Sequence, residues 1–122
     1  MLKTTTTEDI KSEETTIISS GVKIEGKVTS SGNIRIEGEI QGDILSQNSV
    51  VVGEKGRVNG QINAGSITIG GNVSGTINAK EKLLLGPKGN LNGDIFTKIL
   101  VVEEGAKFSG KSKAGIWEFY TR

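Results

Sequence analysis

Apolar and polar positions alternate through the middle of the chain in a motif that keeps returning: apolar, polar, glycine, polar, apolar. It reads Ile40-Gln41-Gly42-Asp43-Ile44, then Val58-Asn59-Gly60-Gln61-Ile62, Val73-Ser74-Gly75-Thr76-Ile77 and Leu91-Asn92-Gly93-Asp94-Ile95. A fifth copy, Phe108-Ser109-Gly110-Lys111-Ser112, departs only at its last position. The central glycines lie 18, 15, 18 and 17 residues apart, a mean of 17. Ahead of each copy stands a short apolar run with a β-branched bias: Ile34-Arg35-Ile36, Val50-Val51-Val52, Ile67-Thr68-Ile69, Leu83-Leu84-Leu85 and Leu100-Val101-Val102.

The link from each run to the next motif has two lengths. Ile36 to Ile40 and Ile69 to Val73 are four apart, whereas Val52 to Val58, Leu85 to Leu91 and Val102 to Phe108 are six apart. The longer links carry turn chemistry, Gly53-Glu54-Lys55-Gly56, Gly86-Pro87-Lys88-Gly89 and Glu103-Glu104-Gly105. Glycine supplies positive φ at such corners and Pro87 suits the first corner position of a turn.

This is strand periodicity, not helical spacing. Strands this short, bent by glycine, bury a face only by stacking on like coils, which builds a continuous ladder of Ile, Val and Leu. The pattern predicts an all-β fold, a parallel β-helix (solenoid) of five to six coils with about three short strands each and a triangular core. Parallel crossovers favour the right hand. A left-handed β-helix is the structural rival, but its hexapeptide pattern wants an aliphatic residue every six without slippage, and the irregular gaps here favour the right-handed form. Residues 17–112 form the predicted solenoid domain. Residues 1–16 (MLKTTTTEDIKSEETT) lack glycine and nearly lack apolar residues, so they are expected to be disordered. Residues 113–122 are too short for a domain and are expected to be a flexible C-terminal tail.

Composition then removes function classes. The chain has 122 residues, room for one domain, with net charge +1. Such balance gives no footprint for nucleic acid and none for an anionic membrane surface. Cysteine is absent, so disulfides and thiolate metal sites are excluded, and a reduced cytoplasmic setting fits. Histidine is absent too, which removes the commonest general base and the commonest metal ligand. No apolar run exceeds the four residues Ile99–Val102, far short of the roughly 20 of a spanning helix, and no secretory leader is expected.

Few residues remain as candidates for chemistry. Gly105-Ala106-Lys107-Phe108-Ser109-Gly110-Lys111-Ser112 satisfies the phosphate-loop pattern G-x-x-x-x-G-K-[ST]. That loop needs a helix after it to cradle phosphate, and here the segment is in register with four repeat copies lacking the Lys-Ser. Nucleotide binding is not expected, nor any other cofactor or metal. Glu103 and Glu104 are adjacent and would point to opposite faces of a strand. Glu37 and Glu39 flank a corner glycine and read as a solvated edge. No enzyme is expected.

Function is instead expected at the two open ends, each a coil of unpaired backbone over an apolar plug. Repeat proteins that stay monomeric carry polar caps, and no amphipathic capping helix precedes Ile17. The aromatics number five, Phe96, Phe108, Trp117, Phe119 and Tyr120, all in the last 27 residues. Phe108, standing where other copies carry Ile, Val or Leu, either plugs the core or docks onto a second subunit. The second reading makes Phe108, Val101 and Val102 the C-terminal polymerisation contact and Ile18, Val22, Ile24 and Val28 the N-terminal one. Ile116, Trp117, Phe119 and Tyr120 either fold back as a partial cap or bind a partner.

Three stretches together resemble the bactofilins, bacterial cytoskeletal proteins: Thr16-Ile-Ile-Ser-Ser-Gly-Val-Lys-Ile-Glu-Gly26, Ile36-Glu-Gly-Glu-Ile-Gln-Gly42 and Val52-Gly-Glu-Lys-Gly-Arg-Val-Asn-Gly60. The likeness spans about residues 15–112. It implies a right-handed β-helix with flexible tails, polymerising through its terminal coils into nucleotide-independent, non-polar filaments. It also implies a cytoplasmic scaffold for cell-shape or cell-wall machinery, commonly at the inner face of the membrane. The partners implied are the chain itself and cell-wall or membrane proteins. Where such proteins use a short apolar N-terminal stretch on the membrane, only Met1-Leu2 precedes a Thr- and acid-rich segment, so direct membrane binding is not expected. The alternative class is a monomeric solenoid binding peptidoglycan or a protein along one face, which needs a ladder of exposed aromatics.

Overall fold

The computed structural model describes residues 5–6 and 15–120, with side chains from 15 to 111. The strands are β1 (Thr5–Thr6), β2 (Thr16–Ile18), β3 (Lys23–Ser30), β4 (Ile34–Ile36), β5 (Glu39–Ser46), β6 (Ser49–Val52), β7 (Arg57–Ile69), β8 (Asn72–Leu85), β9 (Asn90–Glu103) and β10 (Lys107–Tyr120). No helix occurs among the described residues. Every pairing is parallel. β3, β5, β7, β8, β9 and β10 stack in one ladder, and β2, β4, β6 and the second halves of β7 to β10 stack in another. The chain is thus a β-solenoid of about six coils, as the repeat predicts. Of the segment expected to be disordered, Thr5, Thr6, Thr15 and Thr16 alone fall inside the described residues.

Five inward columns make the core. Ile24, Ile40, Val58, Val73, Leu91 and Phe108 form one, and Val28, Ile44, Ile62, Ile77 and Ile95 the next. Ile34, Val50, Ile67, Leu83 and Leu100 form another, and Ile18, Ile36, Val52, Ile69, Leu85 and Val102 run beside it. The fifth column is narrow: Ser30, Ser46, Ala64, Ala79 and Thr97 turn a corner where only small side chains fit. Buried hydroxyls there serve the backbone, Ser46 donating to the Gly32 carbonyl at 2.6 Å and accepting from the Asn48 N–H at 3.1 Å.

A further corner carries no side chain at all. Gly26, Gly42, Gly60, Gly75, Gly93 and Gly110 all have φ between +123° and +146° and sit one above another. A Cβ built on Gly42 would run into the Gly26 carbonyl oxygen, and Gly60, Gly75, Gly93 and Gly110 each meet the preceding glycine in the same way. Glycine is required twice over, for the positive φ and for the closeness of the coil below. Gly26 belongs to a further copy of the motif, Ile24-Glu25-Gly26-Lys27-Val28, which lies 16 residues before Gly42 with the same polarity pattern.

Coil length varies only at the other two corners. From the fourth core column to the first the link is six residues at Ile18 to Ile24, four at Ile36 to Ile40, six at Val52 to Val58, four at Ile69 to Val73, then six and six. Each long link closes a turn, for example Gly56 N–H to Gly53 O at 2.9 Å and Gly89 N–H to Gly86 O at 2.9 Å. Short corners lie recessed between them, and Lys88 reaches across one recess to Glu54 at 2.8 Å. The hydrogen bond from Lys88, with its charge, holds the Glu54 carboxyl below the usual carboxylate range. The pair is fully exposed, so it adds little to stability.

Two substitutions test this layout. Gly75→Ala should destabilise the fold by about 3 kcal/mol or more, since neither the backbone strain nor the carbonyl clash can relax without breaking the ladder. Ser74→Ala, next to it on the exposed side, should change stability by less than about 0.5 kcal/mol. Thermal melts followed by circular dichroism read both.

Candidate functional site

The solenoid has two ends, and they differ. At the C-terminal end, β10 pairs with β9 along its length, from Lys107 on Asn90 to Tyr120 on Glu103. No described strand pairs with its other edge. In a parallel strand alternate residues bond to opposite neighbours, so about half of its N–H and C=O groups face outward from the stack. Phe108 completes the column that begins at Ile24 and lies half-buried against the core.

Val101 and Val102 lie one coil inward, in β9, with β10 stacked beyond them. Val102 is an inward column member, half-buried. Val101, on the opposite side of the strand, is 1% exposed. Ile116, Trp117, Phe119 and Tyr120 belong by backbone to β10, in register with Ile99, Leu100, Val102 and Glu103; their side chains lie outside the described residues. The repeat contained the signal for this strand. Counting 17 forward from Leu100 and Val102 reaches Trp117 and Phe119.

At the N-terminal end, Ile18, Ile24 and Val28 are 4%, 3% and 0% exposed, and Val22 packs half-buried beside them. These terminal apolar positions are therefore covered already within one chain. The strand β1 accounts for part of it, pairing in parallel with Lys23 and Ile24 of β3.

The candidates for chemistry are dispersed. Gly105 lies in a turn and Lys107–Ser112 in β10, with Gly110 stacked on Gly93, so the phosphate-loop pattern falls on a strand rather than on a loop opening a helix. Glu37 faces Arg35 at 3.5 Å and Glu39 faces Gln41 at 3.2 Å. One Glu37 oxygen is buried without a hydrogen-bond partner, beside Gly53. Glu103 closes β9, and Glu104 stands in the turn that follows. Among the described residues no group of three acidic, His or Cys residues is arranged to hold a metal, and no helix is long and apolar enough to cross a membrane. A ladder of aromatics is also missing from the described surface, where Phe96 is the exposed aromatic and Leu45 and Ile17 are the other exposed large apolar residues.

Against protein-family models, residues 16–113 match the family described as bactofilin, polymer-forming cytoskeletal. The chain belongs to the bactofilin family. The bactofilin match begins at the first residue of β2 and ends inside β10, so it covers the two ladders nearly from end to end. Neither a curated protein nor a solved structure matches the chain.

If the C-terminal coil is an open end, truncating its core residue should cost less than truncating an interior one. Ile77→Ala removes a side chain packed by coils on both sides and should destabilise by about 3–4 kcal/mol. Phe108→Ala should cost the dissociated protein about 2 kcal/mol less than a fully buried Phe would, because one side of the ring has no coil beyond it. Urea unfolding at dilute concentration compares them.

Proposed function

We propose that this protein is a cytoskeletal scaffold whose subunits join through their terminal coils into non-polar filaments without nucleotide. The observation that carries the reading is the free edge of β10 set over the half-buried Phe108. A second coil laid on that edge would pair its outward backbone groups, each hydrogen bond contributing about 1 kcal/mol net. It would also bury the phenyl ring, adding about 25 cal/mol for each Å² removed from water. Cross-strand stacking of this kind needs no cofactor.

Two C-terminal ends meeting about a two-fold axis make a self-complementary contact. A second contact between N-terminal ends, through Ile18, Val22, Ile24 and Val28, then extends the chain of subunits with no net direction. Phe108 supplies the C-terminal contact, with Val101 and Val102 supporting it from one coil beneath, and the backbone of the aromatic segment Ile116, Trp117, Phe119 and Tyr120 runs along the same edge strand. The polar sides of the rod stay free in such a filament to hold cell-wall or membrane proteins, and the cytoplasm, at the inner face of its membrane, is the compartment that suits a cysteine-free scaffold.

Negative-stain electron microscopy of the purified protein without nucleotide tests this. Filaments or sheets a few nanometres wide are expected from the native chain and from Lys111→Ala alike, with no effect of added ATP or GTP. Phe108→Arg should stay folded by circular dichroism yet sediment as monomer, because a charge in a desolvated contact costs several kcal/mol. Normal filaments from Phe108→Arg, or monomers alone from the native chain at every salt and concentration, would reject the proposal.

A further inference from the structure

Spacing between core columns follows one rule in every coil. From the first column the steps are four residues across the glycine corner, two, then three or four, two, and finally four or six. Counted backward from Ile24, the long form of the rule lands on Ile18, Thr16, Ser12, Ile10 and Thr6. The structure pairs Thr16 with Ile34, Ile18 with Ile36 and Thr6 with Ile24, which are the register positions the rule assigns. Thr6, Thr16 and Ile18 therefore hold the register positions of one more coil, Thr6 standing 18 residues before Ile24. Its sequence keeps the column chemistry at Ile10, in the position of Val28, and at Ser12, in the position of Ser30.

One position breaks the rule. Gly26 counts back to Glu8. Every described coil turns that corner on a glycine at φ between +123° and +146°, a region that L side chains occupy only under strain. The sequence thus spaces its residues as a coil does but puts Glu8 where the described coils carry glycine, and β1 pairs over two residues, against eight for β3 on β5. Such a strand can occupy an edge and also leave it.

We propose that β1 is a removable cap: it seats on the Lys23–Ile24 edge, covers part of the N-terminal end, and must detach before a second copy of the chain can dock there. The ends then differ in readiness. The C-terminal coil carries its free edge in the isolated subunit, while the N-terminal coil, with Ile24 and Val28 buried at 3% and 0%, is closed until the cap opens. Pairs of subunits joined at their C-terminal ends form first, and cap release sets the pace of elongation. This rests on the end-to-end assembly proposed above.

Two substitutions in the full chain push the cap in opposite directions. Thr5→Pro with Thr6→Pro removes the N–H donors of β1 and should open it. Glu8→Gly supplies the missing corner glycine and should close it. Amide hydrogen exchange of the dissociated protein, kept dilute, reads the cap itself at Lys23 and Ile24. Protection there should fall roughly five- to thirtyfold in the proline variant and rise in Glu8→Gly, the range expected for losing one or two hydrogen bonds. Light scattering reads assembly, and the lag should shorten in the first variant and lengthen in the second. Unchanged protection in the proline variant overturns the cap. So does changed protection with assembly moving in the reverse sense or not at all. Should no variant assemble, the assembly reading fails, while the exchange result still decides whether β1 caps the end.

Discussion

Everything in this molecule depends on coils stacking close enough for one backbone to rest on the next at a corner without side chains. The glycine column sets that distance. Where each glycine meets the carbonyl of the glycine below, the strands before and after it are forced into register, and the apolar residues two positions either side fall into their columns. A one-residue slip in a strand would turn the apolar set outward. Here a slip would also drive a Cβ into a carbonyl oxygen. Register is fixed twice, by hydrophobic burial and by steric exclusion.

Against that invariant corner, the other two absorb all the variation in coil length. The stretch from the first column to the second is always four residues, and the strand steps are always two. Differences between coils of 15 and 18 residues therefore appear only as longer or shorter surface turns, where insertions cost little. Long corners project, short ones lie recessed, and an exposed Lys88–Glu54 pair bridges one gap. The core never registers the difference, which lets the outside of the rod change while the inside repeats.

Most of the fold was legible in the sequence because burial here has a period. Five glycine motifs and five apolar runs predict the coils, and the structure stacks them in the order read. The solenoid expected at 17–112 includes the coil around Gly26, whose Ile24-Glu25-Gly26-Lys27-Val28 keeps the polarity of the repeat with charged residues beside the glycine. Residues 113–122 are expected to be a tail because they are too few for a domain, whereas the backbone of β10 runs on to Tyr120 with Trp117 and Phe119 in register with Leu100 and Val102. There the spacing is intact while Ser112 replaces the last apolar residue of the motif. The ends as candidate sites were also legible, since an uncapped repeat array leaves unpaired edges. What composition could not convey was that the N-terminal apolar positions are already covered in the single chain. Part of that cover is β1, paired eighteen residues away in a segment whose polarity speaks against any structure.

The hydrogen bonds between coils all point along the length of the rod, at right angles to the path of the chain. A pull along the rod therefore loads every bond of a junction together, instead of unzipping them in turn. Within a subunit each junction is also crossed by the polypeptide, which spirals through it. A junction between subunits in the proposed filament would be held by backbone bonds along the same direction but by no covalent thread. Under tension a filament of these rods would part between subunits first, leaving folded units with intact edges that can rejoin. Mechanical failure would then be reversible, and the chain's own connectivity would decide where it happens.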